Sequence, residues 1–246
     1  MSMRRFGLVG RPLVHSASAR YFAAKFEREG IAGCRYDLFP LREIGELRRL
    51  TDEIPDLCGF NVTIPYKRRI LPLLDALSPE AERIGAVNCV RCDGGRLIGY
   101  NTDVEGLRAS LDELLADDRP EEALVLGTGG ASQAVQYVLA ERELPFALVS
   151  RDPLRGNFTY DNLPGEEVAR CRLIVQATPV GTFPRADEAP RLPYDALTPR
   201  HRLFDLVYNP PLTRFLELGR QRGARTMNGE RMFVRQAEAS WRIWNG

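Results

Sequence analysis

The sequence predicts an α/β fold in two domains, an amino-terminal α/β domain and a doubly wound parallel-sheet domain, on three observations. Short apolar runs alternate with longer amphipathic ones along most of the 246 residues, the pattern of strands alternating with helices. The alternation breaks at the polar stretch Asp117-Asp118-Arg119-Pro120-Glu121 and then resumes. The second series opens on an apolar run, a glycine turn and a helix-like segment from Leu124 onward, an arrangement that belongs to parallel α/β sheets.

Element by element, residues 4–10 read as a strand and 17–29 as an amphipathic helix, with Tyr21, Phe22, Ala24 and Lys25 near one face. Residues 35–39 form the next strand and 41–54 the next helix; 58–63 form a third strand. Pro65 is a helix-start signal, so 66–74 is expected to be helical. The apolar runs 86–90 and 96–99 flank Asp93-Gly94-Gly95, a hairpin signal. A helix is expected over 104–115, a strand over 123–126, a helix over 131–140 and a strand over 146–150. Strands at 173–175 and 203–207 complete the parallel series. A final helix, 230–244, carries Met232, Phe233, Ala237 and Trp241 near helical spacing. No internal repeat or low-complexity tract interrupts this pattern.

Composition narrows the function classes. Hydrophobic residues make up 44% and charged residues 27% of the chain, ordinary for a globular protein. The 34 Lys and Arg nearly cancel the 33 Asp and Glu, so no bulk field draws the chain to nucleic acid or an anionic membrane. Tyr66-Lys67-Arg68-Arg69 is a local basic cluster, ordinarily a solvated face. No apolar stretch approaches the ~18 residues of a spanning helix, and the apolar run after Arg4-Arg5 is too short for a signal core. A cytoplasmic location is expected. Five Cys, an odd number without framework spacing, fit a reduced compartment. Cys89 and Cys92 have the spacing of half a zinc or redox site, but with His15 and His201 the only His, no second ligand pair completes it. No metal is expected. The chain also lacks a G-x-S-x-G elbow, a P-loop and an H-E-x-x-H motif.

The glycine turn reads Gly127-Thr128-Gly129-Gly130-Ala131-Ser132. Glycines let the backbone approach a pyrophosphate, and the following helix offers free N–H groups and positive dipole charge. Strict G-x-G-x-x-G spacing would put Gly at 132; Ser132 is still small enough for helix–strand packing. In this strand–turn–helix setting the motif points to a dinucleotide and a Rossmann-type domain. About twenty residues on, the next strand ends at Ser150-Arg151, where an NAD enzyme usually carries an acidic residue. Arg151 and Arg155 suit a 2′-phosphate, while Asp152 argues the other way by serving a ribose or repelling that phosphate. NADP is the expected cofactor.

Three polar motifs sit where predicted strands end: residues 10–18 with His15, Ser16 and Ser18; residues 59–67 with Asn61, Thr63 and Lys67; and Tyr100-Asn101-Thr102-Asp103. Gly85-Ala86-Val87-Asn88 lies between the last two. Strand termini bind ligands in α/β folds, and this much Ser, Thr and Asn suits a sugar-like or hydroxy-acid substrate. Lys67 and Asp103 supply a proton-transfer pair. The plain alternatives are that Ser16 or Ser18 caps a helix and that Lys67 begins a solvated basic helix.

Taken in order, residues 10–18, GFNVTIPYK (59–67), IGAVN (84–88), GYNTD (99–103), GTGGA (127–131), DLVYNPPLT (205–213) and NGERMFVRQAEASW (228–241) resemble the shikimate dehydrogenase family over nearly the whole chain. The resemblance implies NADP-dependent reduction of 3-dehydroshikimate to shikimate by a Lys67/Asp103 dyad. It implies that Ser16, Ser18, Thr63, Asn88, Asp103 and Gln236 hold the substrate with Lys67, and that Tyr208 lies nearby. For NADP it implies Gly127, Thr128, Gly129, Gly130 and Ala131, then Ser150, Arg151 and Arg155, with Thr178 and with Gly229 near the nicotinamide. The expected division is 1–102 for substrate and catalysis and 103–229 for the cofactor, the helix 230–246 returning to the first domain. A monomer or homodimer is expected. Departures from the family pattern are Ala19 after the second Ser, Gln176 in place of Asn and Thr182 where Met is frequent. An NAD-preferring quinate/shikimate dehydrogenase and a non-catalytic NADP-binding regulatory module are the alternatives; the presence of both Lys67 and Asp103 counts against the second.

Overall fold

The computed structural model describes residues 3–13, 16–116 and 119–246. Val14 and His15 of the first polar motif, and Asp117 and Asp118 of the linker, lie outside the described residues, as do Met1 and Ser2. The chain divides into two compact units: residues through Thr102 with Ala237–Gly246, and Asp103–Gln236.

The first unit is built on strands β1 (Arg4–Gly10), β2 (Cys34–Pro40), β3 (Leu57–Val62), β4 (Ala76–Leu77), β5 (Cys89–Asp93) and β6 (Arg96–Tyr100), ordered β2-β1-β3-β5-β6-β4. Its helices are α1 (Ser18–Arg28), α2 (Leu47–Glu53) and α3 (Pro79–Ile84). The sheet is mixed. β1 pairs in parallel with β2 and β3, whereas β5 runs antiparallel to both β3 and β6. The reversal follows from the turn: Asp93 faces Arg96, and the two residues between, Gly94 and Gly95, have φ of 56° and 82°, the left-handed pair of a tight hairpin.

Strand alternation gives this sheet two cores. One gathers Val9, Leu47, Phe60, Val62, Tyr66 and Ile70. The other is aromatic and includes the end of the last helix, α8 (Glu230–Asn245). Trp244 stacks on Phe6 with centroids 4.9 Å apart, and its Nε1 donates to the Val90 carbonyl at 3.0 Å. Buried Lys25 on α1 donates to Glu238 of α8 at 2.8 Å. Removing a buried Trp of this kind costs about 3–5 kcal/mol, so residues 237–246 are firmly held in the first unit.

The second unit contains β7 (Ala123–Leu126), β8 (Phe146–Ser150), β9 (Phe158–Thr159), β10 (Leu173–Gln176), β11 (Arg202–Asp205) and β12 (Arg225–Met227). Its helices are α4 (Asp103–Leu114), α5 (Gly130–Glu141), α6 (Gly165–Arg170), α7 (Arg214–Gln221) and the first part of α8. Every pairing is parallel, in the order β12-β11-β10-β7-β8-β9. This is the doubly wound nucleotide-binding order, with the crevice where the strand order reverses between β7 and β10.

Several expectations need correction. Residues 66–74 do not form an α-helix; turns lead to a single 3-10 turn at Leu71–Leu73. Pro72 has no N–H for the Arg68 carbonyl and disfavours the helical region at Leu71, so Lys67 sits on a turn, not at a helix start. The helix expected over 41–54 is α2 alone, preceded by a 3-10 turn at Ile44–Glu46. The strand expected from 86 begins at Cys89, because the preceding loop turns its groups elsewhere: Val87 N–H donates to the Lys67 carbonyl at 2.8 Å. Helix α3 was not expected, although its signals are present: the Ser78 hydroxyl accepts the Ala81 N–H, Pro79 opens the helix and Gly85 closes it in a left-handed conformation. The elements β4, β9, α6, α7 and β12 were also not expected; each is only 2 to 8 residues long, too short for periodicity to register.

Candidate functional site

The cofactor-type residues gather at the carboxyl edge of the parallel sheet. Gly127 follows β7 with φ 103°, and a Cβ there would lie 2.6 Å from Thr178 Cγ2 at the end of β10. Only glycine meets both conditions. Gly129 precedes α5 in extended backbone, and the space where its Cβ would stand is open. An anion could approach the first N–H groups of α5 there. Ser132 is fully buried and its hydroxyl accepts from Gln136 Nε2 at 3.0 Å, so the departure from strict glycine spacing is absorbed inside α5.

The loop after β8 is organised around Ser150 and Asp152. Ser150 Oγ lies 3.3 Å from Thr128 Oγ1 and accepts the Asp152 N–H, while Asp152 Oδ1 accepts the Leu154 N–H at 3.0 Å. The Asp152 carboxylate is therefore engaged in its own turn. Arg155 donates to the Thr128 carbonyl at 2.7 Å and ties this loop to the glycine turn. Arg151 is exposed beside them.

At the end of β10, Gln176 is fully buried. Its Oε1 accepts from Thr178 N–H and Oγ1 at 3.0 and 2.9 Å, and its Nε2 donates to the Val180 carbonyl at 3.2 Å. The longer amide thus satisfies the loop it leads into. Thr182 lies beyond that loop, its N–H donating to the Pro179 carbonyl. After β11, Tyr208 stacks on Phe233 at 4.7 Å, and the Gly229 N–H donates to the Val207 carbonyl at 3.1 Å. A Cβ on Gly229 would overlap the Leu206 carbonyl. Gln236 Nε2 donates to the Phe233 carbonyl one turn back.

The first unit supplies the other polar residues. Ser16 Oγ accepts the N–H of Ser18, the first residue of α1, at 3.2 Å in a local turn; the N-cap is Ala17, without a side-chain capping bond, so neither Ser16 nor Ser18 caps the helix. Thr63 follows β3, its N–H donating to the Val9 carbonyl. Lys67 is half-buried, and its turn is anchored on both sides: buried Tyr66 donates its O–H to the Leu41 carbonyl at 2.9 Å, and the Lys67 carbonyl accepts from Val87. Asn88 precedes β5; its Oδ1 accepts the Thr102 N–H at 2.6 Å and its Nδ2 donates to Thr102 Oγ1 at 3.0 Å. Asp103 opens α4, where helix-dipole charge favours a carboxylate.

The fold therefore draws Thr63, Lys67 and Asn88 together through the β3–β5 pairing, and gathers residues 127–131, 150–155 and Thr178 at the parallel edge. Lys67 belongs to the first unit; Asp103 and Gln236 belong to the second. Two sets of residues escaped the sequence reading. One is the pair Tyr36 and Ser240, which bond Asn61 and Thr102 behind Asn88. The other is Asp205, whose carboxylate accepts from Thr213 Oγ1 at 2.6 Å and from Val207 N–H, and whose burial pushes its pKa up to about 7. Asn61, Thr102, Asp205 and Ser240 stood inside quoted motifs; Tyr36 carried no spacing signal.

Among the described residues no helix is long and apolar enough to cross a membrane, and no group of His, Cys, Asp and Glu forms a metal-ion cluster.

Residues 8–90 match the family model for the shikimate dehydrogenase substrate binding domain. The chain is 36% identical to the shikimate dehydrogenase (NADP(+)) of Desulforamulus reducens, over 98% of its own length and 89% of the relative's. It shows the same 36% identity and the same coverage with the enzyme of that name from Methanopyrus kandleri. The crystal structure of Thermus thermophilus shikimate 5-dehydrogenase with NADP(H) and shikimate superposes with a TM-score of 0.86 at 34% identity, covering 99% of this chain and 94% of that one. Quinate dehydrogenase from Corynebacterium glutamicum, solved with NAD, gives a TM-score of 0.87 at 28% identity, covering 100% and 95%. With this glycine turn at the switch point of a doubly wound sheet, and identity above a third along nearly its whole length, the chain belongs to the shikimate dehydrogenase family.

Proposed function

We propose that this chain catalyses the reversible NADP-dependent reduction of 3-dehydroshikimate to shikimate, acting in the cytosol as a monomer or homodimer. The observation that carries the reading is the cofactor edge, where the glycine turn, the open space at Gly129 and exposed Arg151 form a cradle for a phosphorylated dinucleotide. The engagement of Asp152 Oδ1 with Leu154 N–H favours NADP over NAD, because that carboxylate is held in its own turn. Gly127, Thr128, Gly129, Gly130 and Ala131 would receive the pyrophosphate, Ser150, Arg151 and Arg155 the 2′-phosphate, and Thr178 and Gly229 the nicotinamide end. When bound, NADP supplies or accepts the hydride.

The chain's own residues do the rest. Ser16, Ser18, Thr63, Asn88, Tyr208 and Gln236 hold the substrate's carboxylate and hydroxyls. As hydride reaches the ketone carbon, negative charge builds on its oxygen. The Lys67 ammonium stabilises that charge and passes a proton to the oxygen, with Asp103 orienting it; in the oxidative direction the same nitrogen takes the proton back. The double anchorage of the Lys67 turn supports this role, since a general acid must be held in place.

Steady-state assays with shikimate and with quinate, each with NADP and with NAD, test the reading. Turnover is expected to be fastest with shikimate and NADP. Preference for quinate with NAD would replace the reading with a quinate/shikimate dehydrogenase, and absence of turnover in all four combinations would overturn it.

A further inference from the structure

A chain of side-chain hydrogen bonds runs through the first unit behind Asn88. Tyr36 on β2 donates its O–H to Asn61 Oδ1 at 2.9 Å. Asn61 on β3 donates from Nδ2 to Ser240 Oγ on α8 at 2.8 Å and to the Asn88 carbonyl at 3.1 Å. Ser240 Oγ lies 3.2 Å from Thr102 Oγ1, which takes the Asn88 amide at 3.0 Å. Ser240 is fully buried, and Asn61, Asn88 and Thr102 are each no more than 5% exposed. Such a network has no bulk water to replace a lost partner, so each member fixes the next.

The two ends of this chain differ in kind. Tyr36 is a half-buried residue on β2, the edge strand of the sheet. At the other end, Asn88 has both amide atoms fixed by Thr102, and Thr102 is the residue that leads covalently into Asp103. Ser240 stands one helical turn after Gln236 on the same face of α8. The hydroxyl therefore joins the helix that carries Gln236 to Thr102, the residue that holds the Asn88 amide and precedes Asp103.

We propose that Ser240 is a positioning residue for the substrate site, acting through Thr102 to orient the Asn88 amide and to fix the backbone that delivers Asp103. The inference rests on the assignment of Asn88 and Asp103 to the substrate and its chemistry. Ser240 touches neither hydride nor proton; it determines where the groups that do so stand. Small displacements of such groups lower rate steeply, by about a hundredfold for ~1 Å, and loss of one buried hydroxyl moves them less than that.

The test compares Ser240→Ala with Ser240→Thr, and Thr102→Val with Thr102→Ser, so that each pair removes or keeps one hydroxyl. Kinetics are measured with shikimate at saturating NADP, alongside the KM for NADP and the thermal midpoint. The hydroxyl-less members should lose about tenfold in kcat/KM for shikimate, in line with a sub-ångström misplacement. Their KM for NADP should stay at the parent value, and the hydroxyl-keeping members should recover most of the loss even where the thermal midpoint stays low. A purely structural role would lower the midpoint and leave the kinetics of folded protein alone. If Ser240→Ala does not fold, the nearly isosteric Thr102→Val decides. Folded hydroxyl-less variants that retain parental kcat/KM for shikimate, or that weaken NADP in step, overturn the inference. Asp103→Asn separates the two failures: if it keeps parental kcat, the assignment of Asp103 is wrong whatever Ser240 does. If it loses kcat while the hydroxyl-less variants do not, only the role of Ser240 falls.

Discussion

The two units put their sheets to different uses. In Asp103–Gln236 every strand is parallel, and the edge proposed for the cofactor is mostly backbone: a left-handed Gly127, an open Gly129, the first turn of α5, and the close approach of Gly229 to the Leu206 carbonyl. In the other unit the sheet is mixed, and the residues proposed for the substrate are side chains on turns, backed by buried amides and hydroxyls. A backbone site is specified by what is missing, namely a Cβ, whereas a side-chain site is specified by what is present and by what holds it. Substitutions should therefore fail differently in the two regions.

The largest effect is expected where backbone meets backbone. Gly229→Ala forces a methyl group onto the Leu206 carbonyl, and should cost about 3 kcal/mol or more in urea unfolding, the upper end for inserted groups that cannot be accommodated. A variant as stable as the parent would show that the approach is not as close as described.

Asp205 sharpens the contrast between a titratable buried group and the neutral network behind Asn88. Burial raises its carboxyl to about 7, so the folded chain holds a proton that the unfolded chain has already released. Its contribution to stability is complete below the ordinary carboxylate range. It is lost as pH rises toward 7, at up to about 1.4 kcal/mol per pH unit. Thermal midpoints of the parent should therefore fall across that window relative to Asp205→Asn, which keeps the shape and does not titrate. Parallel pH profiles for the two proteins would rule this out.

Gly129→Ala has the opposite character to Gly229→Ala. Its Cβ meets no protein atom, so the fold should be unaffected, while NADP affinity falls about tenfold or more, equivalent to ~1.4 kcal/mol. Fluorescence titration reads the affinity; unchanged binding would move the pyrophosphate away from this turn. Arg151→Ala should cost less, about tenfold for NADP and little for NAD, because only a 2′-phosphate loses a charge-assisted contact. Equal losses with the two nucleotides would discard the clamp. Smallest are the single substrate contacts. Ser16→Ala, Ser18→Ala and Gln236→Ala should each raise KM for shikimate by a few-fold, the range of one hydrogen bond at ~0.5–1.5 kcal/mol, with NADP binding intact. If Gln236→Ala leaves shikimate kinetics unchanged, α8 does not serve the substrate.

The same contrast explains what the sequence made legible. The centre of the parallel unit could be read closely, because its strands are apolar runs and its turn carries glycines whose spacing has a mechanism: the strands β7 and β8 stand where expected, and Gly127 has the positive φ its place implies, while the short β9, α6, α7 and β12 went unread. The residues around Lys67 could not, because Pro65 looked like a helix start while Pro72 seven residues on prevents the helix. Asp93-Gly94-Gly95 announced its hairpin, since two left-handed residues permit little else. Ser240 and Tyr36 were invisible for another reason. Their partners lie 138 and 25 residues away in the chain, and no local spacing encodes a contact of that kind.

The central claim is that Lys67 of the first unit carries the proton transfer while residues of the second unit hold the cofactor, and Lys67 tests it most directly. Lys67→Ala and Lys67→Arg would be assayed for kcat at saturating shikimate and NADP, and each titrated with NADP alone. The account predicts that Lys67→Ala loses about 10²–10⁴ in kcat, the usual contribution of a general acid–base group. It also predicts that Lys67→Arg does not restore the rate, because a guanidinium does not readily give up a proton. NADP affinity should match the parent in both. A folded Lys67→Ala variant with kcat within about threefold of the parent, far less than such a group supplies, or one whose NADP affinity falls together with kcat, would contradict it.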